Sequence, residues 1–134
     1  MRIDHVAMWT ADLERLRDFY ERYFGALSGP KYENPRRQYT CYSLGFPAGC
    51  RIELMHVPEL LPRAHASQTS AIGYAHISIA VGSEPEVDRL TRRLQDDGFP
   101  VLDGPRRTGN PSSCRRLVSL STSGSDPTAI EICA

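Results

Sequence analysis

No run of apolar residues in this chain approaches the roughly 18 that a membrane-spanning helix needs, so a helical span is excluded. Neither charge is in excess: 16 Lys+Arg stand against 16 Asp+Glu, for a formal net charge of zero. The balance also holds locally, with nine basic and eight acidic residues up to residue 66 and seven and eight beyond it. Without a basic footprint, sequence-independent binding to nucleic acid or to an anionic membrane is not expected. Cysteine spacing is equally restrictive. None of Cys41, Cys50, Cys114 and Cys133 forms a C-x-x-C pair, so zinc-ribbon and thioredoxin readings lack their signature and free thiols are expected. Met1-Arg2-Ile3-Asp4-His5 places an acid where a signal peptide would begin its apolar stretch, and the expectation is a cytoplasmic protein. What is present is ordinary for a globular chain: 40% hydrophobic and 24% charged residues in 134, enough for one compact domain with a substantial core.

Within that domain one pattern occurs twice. Ile3-Asp4-His5-Val6-Ala7-Met8-Trp9 and Tyr74-Ala75-His76-Ile77-Ser78-Ile79-Ala80 are both strand-like openings with a His near the start. Each precedes a helix. Thr10 suits the first N-cap, Leu13, Leu16, Tyr20 and Tyr23 recur at helical spacing, and Gly25 ends the run. In the second, Ser83-Glu84-Pro85-Glu86 has the form of a capping box, Val87, Leu90 and Leu94 make the stripe, and Gly98 is the stop. Strand-like pieces follow. Tyr39 to Phe46 and Arg51 to His56 lie in the first half; a run around Val101, Arg115 to Ser121 and Thr128 to Cys133 lie in the second. The halves also close alike, Ile52-Glu53-Leu54 against Ile130-Glu131-Ile132. The expected fold is therefore α+β, two βαβββ modules (residues 1–60 and 73–134) with a Pro-containing linker over residues 57–72.

Strand alternation assigns each His and Glu a side. Val6 and Met8, and Ile77 and Ile79, suit a helix-packed face, so His5 and His76 point the other way. Glu53 and Glu131 sit between apolar neighbours and also face away from the helices. Taken singly, a strand-end His is ordinarily a surface or hydrogen-bonded residue. Two carboxylates brought together in a cup would be costly without a counter-charge. A divalent cation resolves that conflict, and two imidazoles with two carboxylates suit Zn, Ni, Co, Mn or Fe(II). The fourfold coincidence of residue type, order and face makes the argument for a metal site.

At this point the chain resembles the vicinal oxygen chelate superfamily, which includes glyoxalase I, ring-cleaving dioxygenases and bleomycin-resistance proteins. The resemblance runs from Ile3 to Ile132. It is carried by Asp4-His5-Val6-Ala7, Asp18-Phe19-Tyr20 with Phe24-Gly25, Arg51-Ile52-Glu53-Leu54, Ala75-His76-Ile77 and Ile130-Glu131-Ile132. It implies a curved mixed sheet around one divalent metal, with His5, Glu53, His76 and Glu131 as ligands, and the two-His, two-Glu set resembles that of glyoxalase I. The activity implied is a metal-dependent lyase or isomerase, lactoylglutathione lyase-like, that abstracts a proton beside a metal-chelated carbonyl. Glu131 is then the favoured base and Glu53 the second candidate. A small-molecule substrate such as a thiol conjugate and a homodimer are implied as well. The metal-binding part of the resemblance is intact, whereas Met8-Trp9 stand where glyoxalase I has an Arg for glutathione. Two alternatives compete: a non-catalytic small-molecule binding protein of the same fold, and an Fe(II) ring-cleaving dioxygenase, against which the four-ligand set argues.

Other residues fall outside that pattern. The pairs Arg36-Arg37, Arg106-Arg107 and Arg115-Arg116 have the chemistry to clamp an anion, but solvated loop charge is the plainer reading of any one pair. His56 and His65 are expected to be structural or surface residues. Trp9 shares the face of His5 and fits either a pocket wall or the core. Cys133 lies two residues from Glu131 on the same face.

Overall fold

The computed structural model describes residues 1–60, 76–99, 101 and 117–120. The chain divides into two compact units, Met1–Pro62 and Arg63–Ala134.

The first unit begins with strand β1 (His5–Trp9) and helix α1 (Leu13–Phe24). Two short strands follow, β2 (Leu27–Ser28) and β3 (Tyr32–Asn34), then β4 (Tyr39–Gly45) and β5 (Arg51–His56). The strands form one mixed sheet in the order β1-β5-β4-β2, with β3 also on β4. Only the β1–β5 pair is parallel, as a crossover through α1 permits; β4 runs antiparallel to its partners.

The helix forms where its apolar stripe predicts. Leu13, Leu16, Tyr20 and Tyr23 are buried, joined by Phe19, and Gly25 ends the helix in the left-handed region at φ 63°. The N-cap corrects the sequence expectation. Asp12, not Thr10, accepts the Arg15 amide, at 3.0 Å. Thr10 instead prolongs β1, its amide donating to the Met55 carbonyl at 2.9 Å, and it is buried. The interval between α1 and β4 also holds more than the turn signals suggested. Gly29 still donates to the Ser43 carbonyl, but Pro30 has no amide to offer, so the edge of β4 is covered by two pieces, not one strand.

The core lies between α1 and one face of this sheet. Leu44 and Leu54 are fully buried there, with Ile52 and Tyr42 beside them. Polar ties hold the helix in place. The Tyr42 hydroxyl donates to the Glu14 carboxylate and accepts from Arg17 Nη1, each at 3.0 Å, and Lys31 Nζ donates to Glu14 Oε1 at 3.0 Å. The Lys31 ammonium, then Tyr42 and Arg17, hold the Glu14 carboxyl below its ordinary range. Further along, both the Ser28 amide and its hydroxyl donate to Glu21 Oε1.

In the second unit the described elements are β6 (Ile77–Ala80), α2 (Glu84–Asp96) and β7 (Leu117–Leu120). β6 and β7 pair antiparallel, Ile77 opposite Leu120 and Ala80 opposite Leu117. Val87, Leu90 and Leu94 are buried as their spacing predicts, with Thr91 added, its hydroxyl donating to the Val87 carbonyl at 2.8 Å. Ser83 occupies the N-cap position and Pro85 the first turn, but the Ser83 side chain makes no capping bond; Glu86 pairs with Arg89 instead. The closing strand expected at Thr128 to Cys133 lies outside the described residues.

Candidate functional site

Opposite the face packed on α1, the first unit has an open face, and its occupants follow from strand register. Along β1, Val6 and Met8 are half-buried while His5, Ala7 and Trp9 are exposed. On β5, Ile52 and Leu54 are buried, which turns Arg51, Glu53 and Met55 to the open side. Register sets Ala7 and Ser43 beside Glu53, and Trp9 and Cys41 beside Met55. His5 lies opposite Arg51, one diagonal step from Glu53.

That diagonal brings His5 Nε2 to 3.8 Å from Glu53 Oε2. Two donor atoms that each bind a transition metal at 2.0–2.2 Å lie within about 4.2 Å of one another, so this pair fits one cation. Both are reachable: the His5 side chain is 48% exposed and that of Glu53 28%. His5 is oriented from behind. Its Nδ1 is 3.1 Å from Asp4 Oδ2, so Nδ1–H donates to the carboxylate, and in the neutral imidazole the lone pair is then on Nε2, the nitrogen nearer Glu53. The His5 bond first, and then the Arg51 guanidinium paired with Asp4, hold the Asp4 carboxyl below the usual carboxylate range. The Arg51 amide adds a bond to the Asp4 carbonyl at 3.0 Å.

Glu53 has its own partner. The Tyr39 hydroxyl donates to Glu53 Oε1 at 3.3 Å. Burial pushes the Tyr39 phenol up, with Cys41 and Glu53 adding to the effect, so it stays a protonated donor. The Tyr39 ring meets Trp9 edge-on at 6.3 Å between centroids and Tyr32 at 6.2 Å. Burial also raises the Cys41 thiol, and the Glu53 carboxylate works in the same direction, which makes Cys41 a poor nucleophile.

Of the four residues singled out as ligands, the structure brings His5 and Glu53 together. His76 is in the second unit, exposed, immediately before β6 and on the side opposite the half-buried Ile77 and Ile79. Glu131 lies outside the described residues, as do Cys114, Cys133, His65, Arg106, Arg107, Arg115 and Arg116. Among the described residues no three His, Cys, Asp or Glu side chains gather into a metal cage. Trp9 is 51% exposed on the open face and so is not a core residue. His56 is structural: its Nδ1 is 2.9 Å from the Thr10 carbonyl at the end of β1. Arg36 and Arg37 sit in the exposed turn between β3 and β4, and Cys41 and Cys50 are free thiols. Asp4 and Tyr39 were not identified from sequence as partners of the site. Asp4 gave a usable signal in its carboxylate next to His5; Tyr39, 14 residues from Glu53, gave none.

The first unit is thus one helix on one face of a mixed sheet, an α+β arrangement with His5 and Glu53 together on the other face. The chain belongs to the Glyoxalase/Bleomycin resistance protein/Dioxygenase superfamily, whose profile matches residues 2–114. The fold is similar to that of the trypanothione-dependent glyoxalase I of Leishmania major: TM-score 0.64, 21% identity, 92% of this chain and 81% of that one. It is also similar to a possible glyoxalase from Bacillus cereus: TM-score 0.57, 23% identity, 92% and 93% coverage. Maize glyoxalase I is a third likeness at TM-score 0.55 and 19% identity, in which this chain spans 42% of the longer protein. At these identities the likenesses establish the fold and not the activity. No curated protein matches the sequence.

Proposed function

We propose that this chain is a metal-dependent lyase or isomerase of the glyoxalase type, moving a proton between adjacent oxygen-bearing carbons of a small substrate. The observation that carries the reading is the His5–Glu53 pair, 3.8 Å apart on the open face with the imidazole oriented by Asp4. In this reading His5, Glu53, His76 and Glu131 hold one divalent ion of Zn, Ni, Co, Mn or Fe. When bound, the ion supplies Lewis-acid polarisation of the substrate oxygens. The residues supply the rest. Asp4 keeps His5 in the tautomer that leaves Nε2 free. Glu131 accepts the proton from the carbon beside the carbonyl and delivers it to the neighbouring carbon, so no external oxidant or reductant is needed. Glu53 is the second carboxylate able to act in that way. The exposed Trp9 and Tyr32 rings offer an apolar wall to the substrate body. A thiol adduct of a 2-oxoaldehyde, as in lactoylglutathione lyase, matches this chemistry, and the reading extends to a cytoplasmic homodimer acting as a single domain.

The test is turnover of the glutathione–methylglyoxal hemithioacetal by chelator-stripped chain before and after adding each metal. Turnover restored by metal, and reduced about 10²–10⁴-fold in Glu131→Gln, supports the proposal. Turnover indifferent to chelator, or absent with every 2-oxoaldehyde–thiol adduct offered, refutes it.

A further inference from the structure

We propose that Tyr39 is a positioning residue for Glu53: its hydroxyl engages Oε1, leaves Oε2 turned toward His5, and makes Glu53 a fixed carboxylate of the site. This proposal rests on the metal-dependent reading given above and adds a residue to it. The contact is not a by-product of strand pairing. Ser43, not Tyr39, is the residue opposite Glu53. Tyr39 lies four positions further along β4, roughly 13 Å by strand rise, so the phenol and the carboxylate extend toward each other along the open face to meet. Between them on that face stands Cys41, opposite Met55, and its thiol interacts with both the Tyr39 hydroxyl and the Glu53 carboxylate.

The phenol is also held in place from both sides. Trp9 from β1 packs edge-on at an interplanar angle of 84°, and Tyr32 from β3 at 60°. Three strands thus fix the ring that fixes the carboxylate. The two oxygens of Glu53 have separate partners, Tyr39 on Oε1 at 3.3 Å and His5 Nε2 facing Oε2 at 3.8 Å. A carboxylate anchored through one oxygen presents the other in a constant direction, which is what a permanent ligand requires.

Tyr39→Phe separates these roles, because it keeps the ring between Trp9 and Tyr32 and removes only the hydroxyl. The full-length chain is stripped of metal and titrated with Zn²⁺ against a chromophoric chelator, and with Co²⁺ by its visible absorption. The expected result is roughly 10–100-fold weaker Zn²⁺ binding in Tyr39→Phe, a changed Co²⁺ spectrum and an unchanged unfolding temperature. In a Glu53→Ala background, Tyr39→Phe should then have no further effect on Zn²⁺ affinity, since the hydroxyl acts through Glu53. Binding within twofold of the native chain with an identical Co²⁺ spectrum overturns the role of Tyr39 while leaving the metal reading standing. Equal weakening by Tyr39→Phe with and without Glu53 overturns it too. A native chain that takes up neither ion overturns both.

Discussion

Leu54→Ala tests the face assignment on which the site depends. Leu54 is fully buried on the central strand β5, between Met8 of β1 and Tyr42 of β4, and faces α1. Truncation removes about three methylene equivalents, worth roughly 2.4 kcal/mol of transfer free energy. A cavity term adds to this because the walls are rigid: one paired strand on each side and a helix tied to the sheet through Tyr42 and Glu14. The expected cost is about 4 kcal/mol, a large fraction of the ~5–15 kcal/mol that holds a domain of ordinary stability together. Urea denaturation followed by far-ultraviolet circular dichroism measures it, with Leu27→Ala as the exposed control expected within about 0.5 kcal/mol of the native chain. The same alternation that buries Leu54 turns Glu53 to the open face. A cost below about 1.5 kcal/mol would contradict this placement, because Leu54 would then lie outside the core and Glu53 would lose its assigned face.

Two further predictions concern α1. Asp12→Ala should cost about 1 kcal/mol in the same denaturation assay by removing the acceptor for the Arg15 amide, and an unchanged midpoint would show that the helix does not depend on its cap. Tyr20 sets an alkaline limit. Burial raises its phenol above the ordinary value of 10.0, so the folded chain retains a proton that the unfolded chain releases. Its contribution is therefore complete below pH 10 and declines as pH rises past it, by about 1.4 kcal/mol at pH 11. Tyr20→Phe should lose less stability than the native chain between pH 9 and pH 11; equal losses would contradict the assignment.

Much of the first unit was legible because one buried face imposes its period on the sequence. Val6 and Met8, and Ile52 with Leu54, alternate strictly enough to place His5 and Glu53 on the opposite face from sequence alone. Gly25 ends α1 as expected because a left-handed turn strongly favours glycine there. The misses have specific causes. Leu27–Ser28 and Tyr32–Asn34 are two and three residues long, too short for a period to register, and Gly29-Pro30 reads only as a break. Thr10 and Asp12 are both good caps, and a long-range bond from the Thr10 amide to Met55 decided between them. The Tyr39–Glu53 contact needs the offset between β4 and β5 as well as the reach of both side chains, and neither has a local signature. The second unit was legible in its helix stripe and in the alternation of β6, which puts His76 on the side of Ser78.

Under the proposed function His5, Glu53, His76 and Glu131 serve one cation. The direct measurement is the metal stoichiometry and affinity of the full-length, chelator-stripped chain, followed calorimetrically for the native protein and for His5→Ala, Glu53→Ala, His76→Ala and Glu131→Ala. One divalent ion per chain and weaker binding in all four variants are expected. An ion whose affinity none of the four changes, or no uptake by the native chain, would contradict it.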